Sequence, residues 1–107
     1  MIRVLIKHRG LSSAMRATFG GAVVADVPDD AERDDLVLTT TQDTSPGACL
    51  AMSVRGVHVV VLASQPRDSE EASYLRAGAA NYIEMTANAE ALAVAVTRQI
   101  RADDDCR

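Results

Sequence analysis

The chain has 107 residues, a net charge of −4, 48% apolar residues and 24% charged residues. That length suits one compact domain with its own core, and the balance excludes a chain disordered throughout. The acidic surplus and the scatter of the 11 Lys and Arg residues exclude nucleic-acid binding by this domain itself, because phosphate contacts need clustered cations.

With one Phe, two Tyr and no Trp, the core must be built from Val, Leu, Ile, Ala and Met. The longest apolar run, 57–63, is far too short to span a bilayer. The opening Met1–Ile6 lacks the length and cleavage site of a signal peptide, so the expected location is cytoplasmic, with no membrane contact. Cys49 and Cys106 form one pair at most. Neither has a Cys or His at metal-ligand spacing, so Cys49 is expected to pack as a small hydrophobe. Cys106 falls in a polar tail, 103–107, after a domain expected over 1–102.

In chain order, the first strand is read at Ile2–Ile6. A helix follows at Leu11–Phe19, where Leu11, Met15, Thr18 and Phe19 share one face. Ala22–Val27 is a weaker strand. The link Pro28–Asp34 is too short and too charged for a full amphipathic helix. Asp35–Thr39 reads as a buried strand. Ser45 and Pro46 supply an N-cap and a first helical residue, and Gly56 ends that helix. Val57–Leu62 is the third buried strand, its continuous apolar run fitting a parallel sheet covered on both faces. Asp68–Glu71 resembles a capping box before Ala72 and Leu75. Asn81–Met85 is the last strand. Asn88 caps a final helix with Ala89, Leu92, Ala93, Val96 and Ile100 as its core stripe. Strands alternating with helices imply an α/β sandwich with right-handed crossovers.

The second half carries a family likeness. Val59–Ser64 (VVVLAS), a helix, and then Leu75–Ile83 (LRAGAANYI) are similar to receiver domains of the CheY-like family, where such a strand precedes a helix ending in an AGAxxY-type turn. Ile2–Ile6 also resembles the receiver first strand. Gly78 matches the glycine at which the chain turns into the last strand. The likeness weakens over residues 20–56. It implies a flavodoxin-like, doubly wound, five-stranded parallel sheet of order 2-1-3-4-5 with the second helix shortened or missing.

Phosphorylation in that family uses an acidic pair after the first strand for Mg²⁺, an acceptor Asp after the third, a hydroxyl after the fourth and a Lys after the fifth. A carboxylate nucleophile needs such cations to neutralise the charge it gathers. Here Lys7, His8 and Arg9 stand where the acidic pair belongs. Thr40 takes the acceptor position. Ala63 takes the hydroxyl position, with Ser64 one residue on, and Met85 takes that of the Lys. The resemblance thus implies a degenerate pocket of His8, Arg9, Thr40, Ala63, Ser64 and Met85, with no cofactor and no Mg²⁺. Asp43 is the nearest carboxylate and is offset from the strand.

The expected role is that of a phosphorylation-independent regulatory module, not an enzyme. It would act through a protein partner or a homodimer, as part of a bacterial response regulator controlling transcription. By resemblance the contact face comprises Tyr74, Arg76, Tyr82, Val94 and Arg98, with Tyr74 placed off the core side of its helix. Two alternatives stand beside it. One is a small-ligand or anion sensor using Lys7, Arg9, Thr40 and Ser64, with Thr39 and Thr41 facing the same crevice. The other is a phosphorylated receiver with Asp43 as a displaced acceptor. His58 is expected to be a partly covered, hydrogen-bonded histidine. No GxSxG, GxxxxGK[ST], HExxH or CxxC motif points to other chemistry.

Overall fold

The computed structural model describes residues 2–20, 22–25 and 27–85, together with 91, 94, 97 and 98. Its elements are β1 (Ile2–Leu5), α1 (Arg9–Thr18), β2 (Val23–Val24), a 3-10 turn (Pro28–Asp30), β3 (Leu36–Thr40), α2 (Pro46–Val54), β4 (His58–Ala63), α3 (Asp68–Arg76) and β5 (Asn81–Glu84). Ala91, Val94, Thr97 and Arg98 are helical. The expected cap Asn88, the stripe Ala89, Leu92, Ala93, Val96 and Ile100, and the tail with Cys106 lie outside the described residues.

The strands form one sheet in the order β2-β1-β3-β4-β5. Every pairing is parallel, with Leu5 opposite Thr39, Thr40 opposite Leu62, and Ala63 opposite Glu84. The expected doubly wound architecture is therefore present. Because side chains alternate across a strand, β4 feeds two cores. Val59 and Val61 join Leu5, Val37, Cys49, Met52 and Tyr74 on the α2–α3 face. Val60 and Leu62 join Val4, Ile6, Met15, Leu38 and Ile83 on the α1 face. Cys49 is fully buried, as expected of a small hydrophobe.

Local signals explain the helix ends. The Ser45 hydroxyl accepts the Ala48 N–H at 3.2 Å and Pro46 opens α2. Gly56 follows its last turn with φ +86, and Gly78 follows α3 with φ +96, a left-handed geometry that a Cβ would strain. Two expectations need correction. The N-cap of α3 is Arg67, with no side-chain cap bond, so Asp68 is already helical. Asp68, Glu70 and Glu71 instead lie in the first turn, where negative charge complements the helix dipole. On the same helix Leu75 is 47% exposed whereas Tyr74 is 3% exposed, one residue round from the anticipated stripe. The larger ring wins the inward position because it removes more apolar area from water.

Among the described residues the stretch between β2 and β3 contains only the 3-10 turn, so the shortened second helix is observed. This has a consequence inside the sheet. Alternation puts Arg3 on the same face as Leu5, where the core thins to Ala25 and Ala31. Arg3 Nε donates to Asp35 Oδ2 at 2.7 Å, and the same oxygen accepts the Glu32 N–H at 2.9 Å. Arg55, beyond α2, closes the link from above by donating to the carbonyls of Ala31 and Asp29. A polar clamp thus occupies the space a crossover helix would cover. The edge strand is also shorter than the expected 22–27, although Ala25 N–H still reaches Val4 O at 3.0 Å.

Candidate site at the carboxyl ends of the strands

The order of the sheet reverses direction between β1 and β3, and open α/β sheets bind ligands in the crevice at that point. A cavity of about 420 Å³ lies there, lined by the residues after β1 (Ile6, Lys7, His8), the β3–α2 loop (Thr40–Asp43), and Leu62, Ser64 and Met85. Leu11 completes its wall. The floor is apolar because Ile6, Leu62, Leu11 and Met85 belong to the α1-side core. The polar groups stand around the rim.

His8 caps α1. Its Nδ1 accepts the Leu11 N–H at 3.2 Å, which assigns the proton of the neutral ring to Nε2. Asp43 is drawn inward from the loop. Its Oδ2 accepts the Thr40 hydroxyl at 2.6 Å and its Oδ1 accepts the Lys7 N–H at 3.3 Å, while its own N–H donates to Thr40 Oγ1 at 3.1 Å. Thr40 and Asp43 thus close on each other in a tight turn after β3. Tyr74 supports this loop from beneath, its hydroxyl donating to the carbonyls of Thr44 at 2.5 Å and Thr41 at 3.3 Å.

The anticipated pocket residues are only partly brought together. His8, Thr40, Ser64 and Met85 line the crevice, as does Lys7. Arg9 does not. It is the first residue of α1 and lines a separate cleft on the far side of β1. Ala63 is fully buried. Thr39 also misses the crevice. It faces the opposite side of the sheet from Thr40, is fully buried, and spends its hydroxyl on Leu5 O at 3.0 Å and Thr44 Oγ1 at 2.7 Å. Gln42 and Leu11 line the site without having been singled out from sequence. Leu11 reads only as a core residue, and nothing marks Gln42.

The resemblance brings Mg²⁺ to mind, and the residues present do not fit it. Hard divalent cations need several oxygen ligands. Lys7 and His8 stand after β1, and among the described residues Asp43 is the one carboxylate in the crevice lining, already engaged by two donors. Among the described residues no group of three His, Cys, Asp or Glu converges.

The anticipated contact face is corrected at one residue. Tyr74 is inside the core and its ring stacks on Tyr82 with centroids 6.0 Å apart. Tyr82 is half-buried and donates to Glu70 Oε1 at 2.5 Å. Arg76, Val94 and Arg98 are exposed. His58 is half-covered and its N–H donates to Asp35 O at 2.9 Å.

Sheet order and parallel pairing are those of the flavodoxin-like receiver fold. An orphan response regulator of H. pylori is similar to this chain with a TM-score of 0.73 and 18% identity, covering 92% of this chain and 93% of that one. A response regulator of Thermotoga maritima has a TM-score of 0.72 and 19% identity, with 94% and 96% covered. The receiver domain of the NarL response regulator of Mycobacterium tuberculosis has a TM-score of 0.68 and 14% identity, with 98% and 93% covered. No family model and no curated protein matches the chain by sequence. Among the described residues no helix is long and apolar enough to cross a membrane.

Proposed function

We propose that this chain is a receiver-like regulatory module that accepts no phosphoryl group and passes its signal by binding a protein partner or a second copy, in the service of transcriptional control. The observation that carries this reading is the state of the strand ends. Thr40 stands at the end of β3, and the one carboxylate of the crevice is closed onto it and onto the Lys7 amide. A phosphoryl donor attacked by Asp43 would meet an oxygen already hydrogen-bonded, with no second carboxylate beside it to hold a metal. By the family likeness the contact face would comprise the exposed Arg76, Val94 and Arg98 with the half-buried Tyr82.

The test is incubation with a small phosphodonor and Mg²⁺, followed by intact mass. No mass gain, and no beryllofluoride-induced change in the amide spectrum, is the expected result. Stable incorporation that disappears in Asp43→Asn would establish the displaced acceptor instead.

The crevice volume favours one further reading, a sensor for a small molecule seated on the apolar floor with Lys7, Thr40 and Ser64 at its rim. A ligand present at 100 times its dissociation constant stabilises a fold by about 2.7 kcal/mol. A thermal-shift screen of metabolites therefore detects it, and Leu62→Phe, which fills the floor, should abolish the hit.

A further inference from the structure

We infer that the cleft between α1 and the β1–β2 edge is a binding site for a phosphate-type oxyanion, separate from the strand-end crevice. This inference goes beyond the regulatory reading and does not depend on it.

The cleft, about 350 Å³, gathers Lys7, Arg9, Ser12, Ser13 and Arg16. Four of these lie on one helix at positions i, i+3, i+4 and i+7, so they form a single stripe. The stripe is neither the core face, which carries Leu11 and Met15, nor an ordinary solvent face of mixed charge. The stripe has two cations and two hydroxyls, Lys7 adds a third cation to the cleft, and among the described residues no carboxylate lines it; Asp26, next after Ala25, lies outside them. This concentration of positive charge stands in a chain whose net charge is −4.

Two independent observations point to a ligand. The first is a broken local rule. α1 has no acidic residue in its first turn and begins with Arg9, although the helix dipole disfavours a cation at that end. Such conflicts are expected where function needs them. An anion relieves this one through the cations that line the cleft. The second is Ser12. It is nine-tenths buried, it lines the cleft, and its hydroxyl bonds no described group. Other helical hydroxyls of this chain do otherwise: Thr18 donates to Ala14 O at 2.8 Å and Ser73 to Ser69 O at 3.0 Å. Ser12 makes no such bond, and since no buried side-chain polar atom of the described residues lacks a partner, its hydroxyl keeps accessible surface, which places it open at the cleft it lines. Val24 and Ala25 form the opposite wall, which gives a carbon skeleton attached to the phosphate an apolar surface to lie on.

The experiment uses the whole chain and two probes, inorganic phosphate and phenyl phosphate, followed by amide chemical shifts at matched ionic strength with chloride as control. Saturable shifts confined to Arg9–Arg16 are expected with both probes. Tighter binding of phenyl phosphate identifies a phosphorylated organic molecule as the ligand, and equal binding identifies free phosphate. Ser12→Ala and Arg16→Gln should each weaken binding about tenfold, and both substitutions suit a helix, so their spectra report on a folded protein. Shifts that do not saturate, that chloride reproduces, or that persist unchanged in both variants would overturn the site.

Discussion

Tyr74 and Tyr82 stack with their planes 30° apart, and their hydroxyls are tied to different elements: Tyr74 to the β3–α2 loop, Tyr82 to Glu70 of α3. The pair therefore joins the wall of the strand-end crevice to the β5 side of the sheet through one continuous contact. Its first member is a buried donor on two loop carbonyls.

Tyr74→Phe keeps the ring and removes the donor. The Thr44 carbonyl then loses the partner that reaches it from α3. We expect a loss of about 1–2 kcal/mol in denaturant unfolding, with faster amide exchange at Thr41 and Thr44. A variant as stable as the parent would mean that the loop is held by its own turn alone.

Burial, then the Glu70 carboxylate, pushes the Tyr82 phenol up to about 12 from its ordinary 10.0. A group whose folded value is raised favours its protonated form in the fold. Its contribution to stability is whole below pH 10 and is lost as the pH climbs toward 12. Ultraviolet titration of the phenolate should show a late transition that moves back toward 10 in Glu70→Gln.

Desolvation works to raise the Asp35 carboxyl, but the bonds from Arg3 and from the Glu32 amide outweigh it and hold it below its ordinary 3.8. Its contribution is present above that value and fades as the pH falls through the lowered one. The native fold should therefore lose stability below about pH 4, and Asp35→Asn should flatten that limb. Asp35→Ala at neutral pH removes the partner of the Arg3 guanidinium and of the Glu32 N–H and should lower the midpoint of denaturant unfolding.

Gly78→Ala tests the turn into β5. The backbone there has φ +96, and an added Cβ would sit 2.7 Å from Ser53 Cβ. The left-handed backbone alone costs about 1–2 kcal/mol. Ser53→Gly in the same background should relieve the clash, while the backbone cost stays and a helical glycine adds about 1 kcal/mol, so the rescue expected in thermal unfolding is partial at most.

The parallel sheet was readable in the sequence because Val4–Ile6 and Val57–Leu62 are continuous apolar runs with polar ends, a pattern that burial on both faces imposes. The order of the strands was not in those runs and came from the likeness carried by LRAGAANYI. The crevice was foreseen at Lys7, His8, Thr40, Ser64 and Met85, since each follows a strand end. It was misjudged where register decides. Thr39 and Thr40 are neighbours in the chain yet point to opposite faces, and Arg9 is swept away by the first turn of α1. Tyr74 was placed outside because counting round a helix of mixed composition does not say which side the sheet will take.

The brevity of the passage from β2 to β3 also bears on how the sheet assembles. β1 meets β2 through the full crossover helix α1, but it meets β3 across a further stretch that a second such helix would have lengthened considerably. Closure of a segment costs less as it shortens, by about 0.6 kcal/mol for each halving. The β1–β3 pairing, which brings Ile2 opposite Leu36, is still the longest closure in the sheet, and the Arg3–Asp35 pair ties that seam.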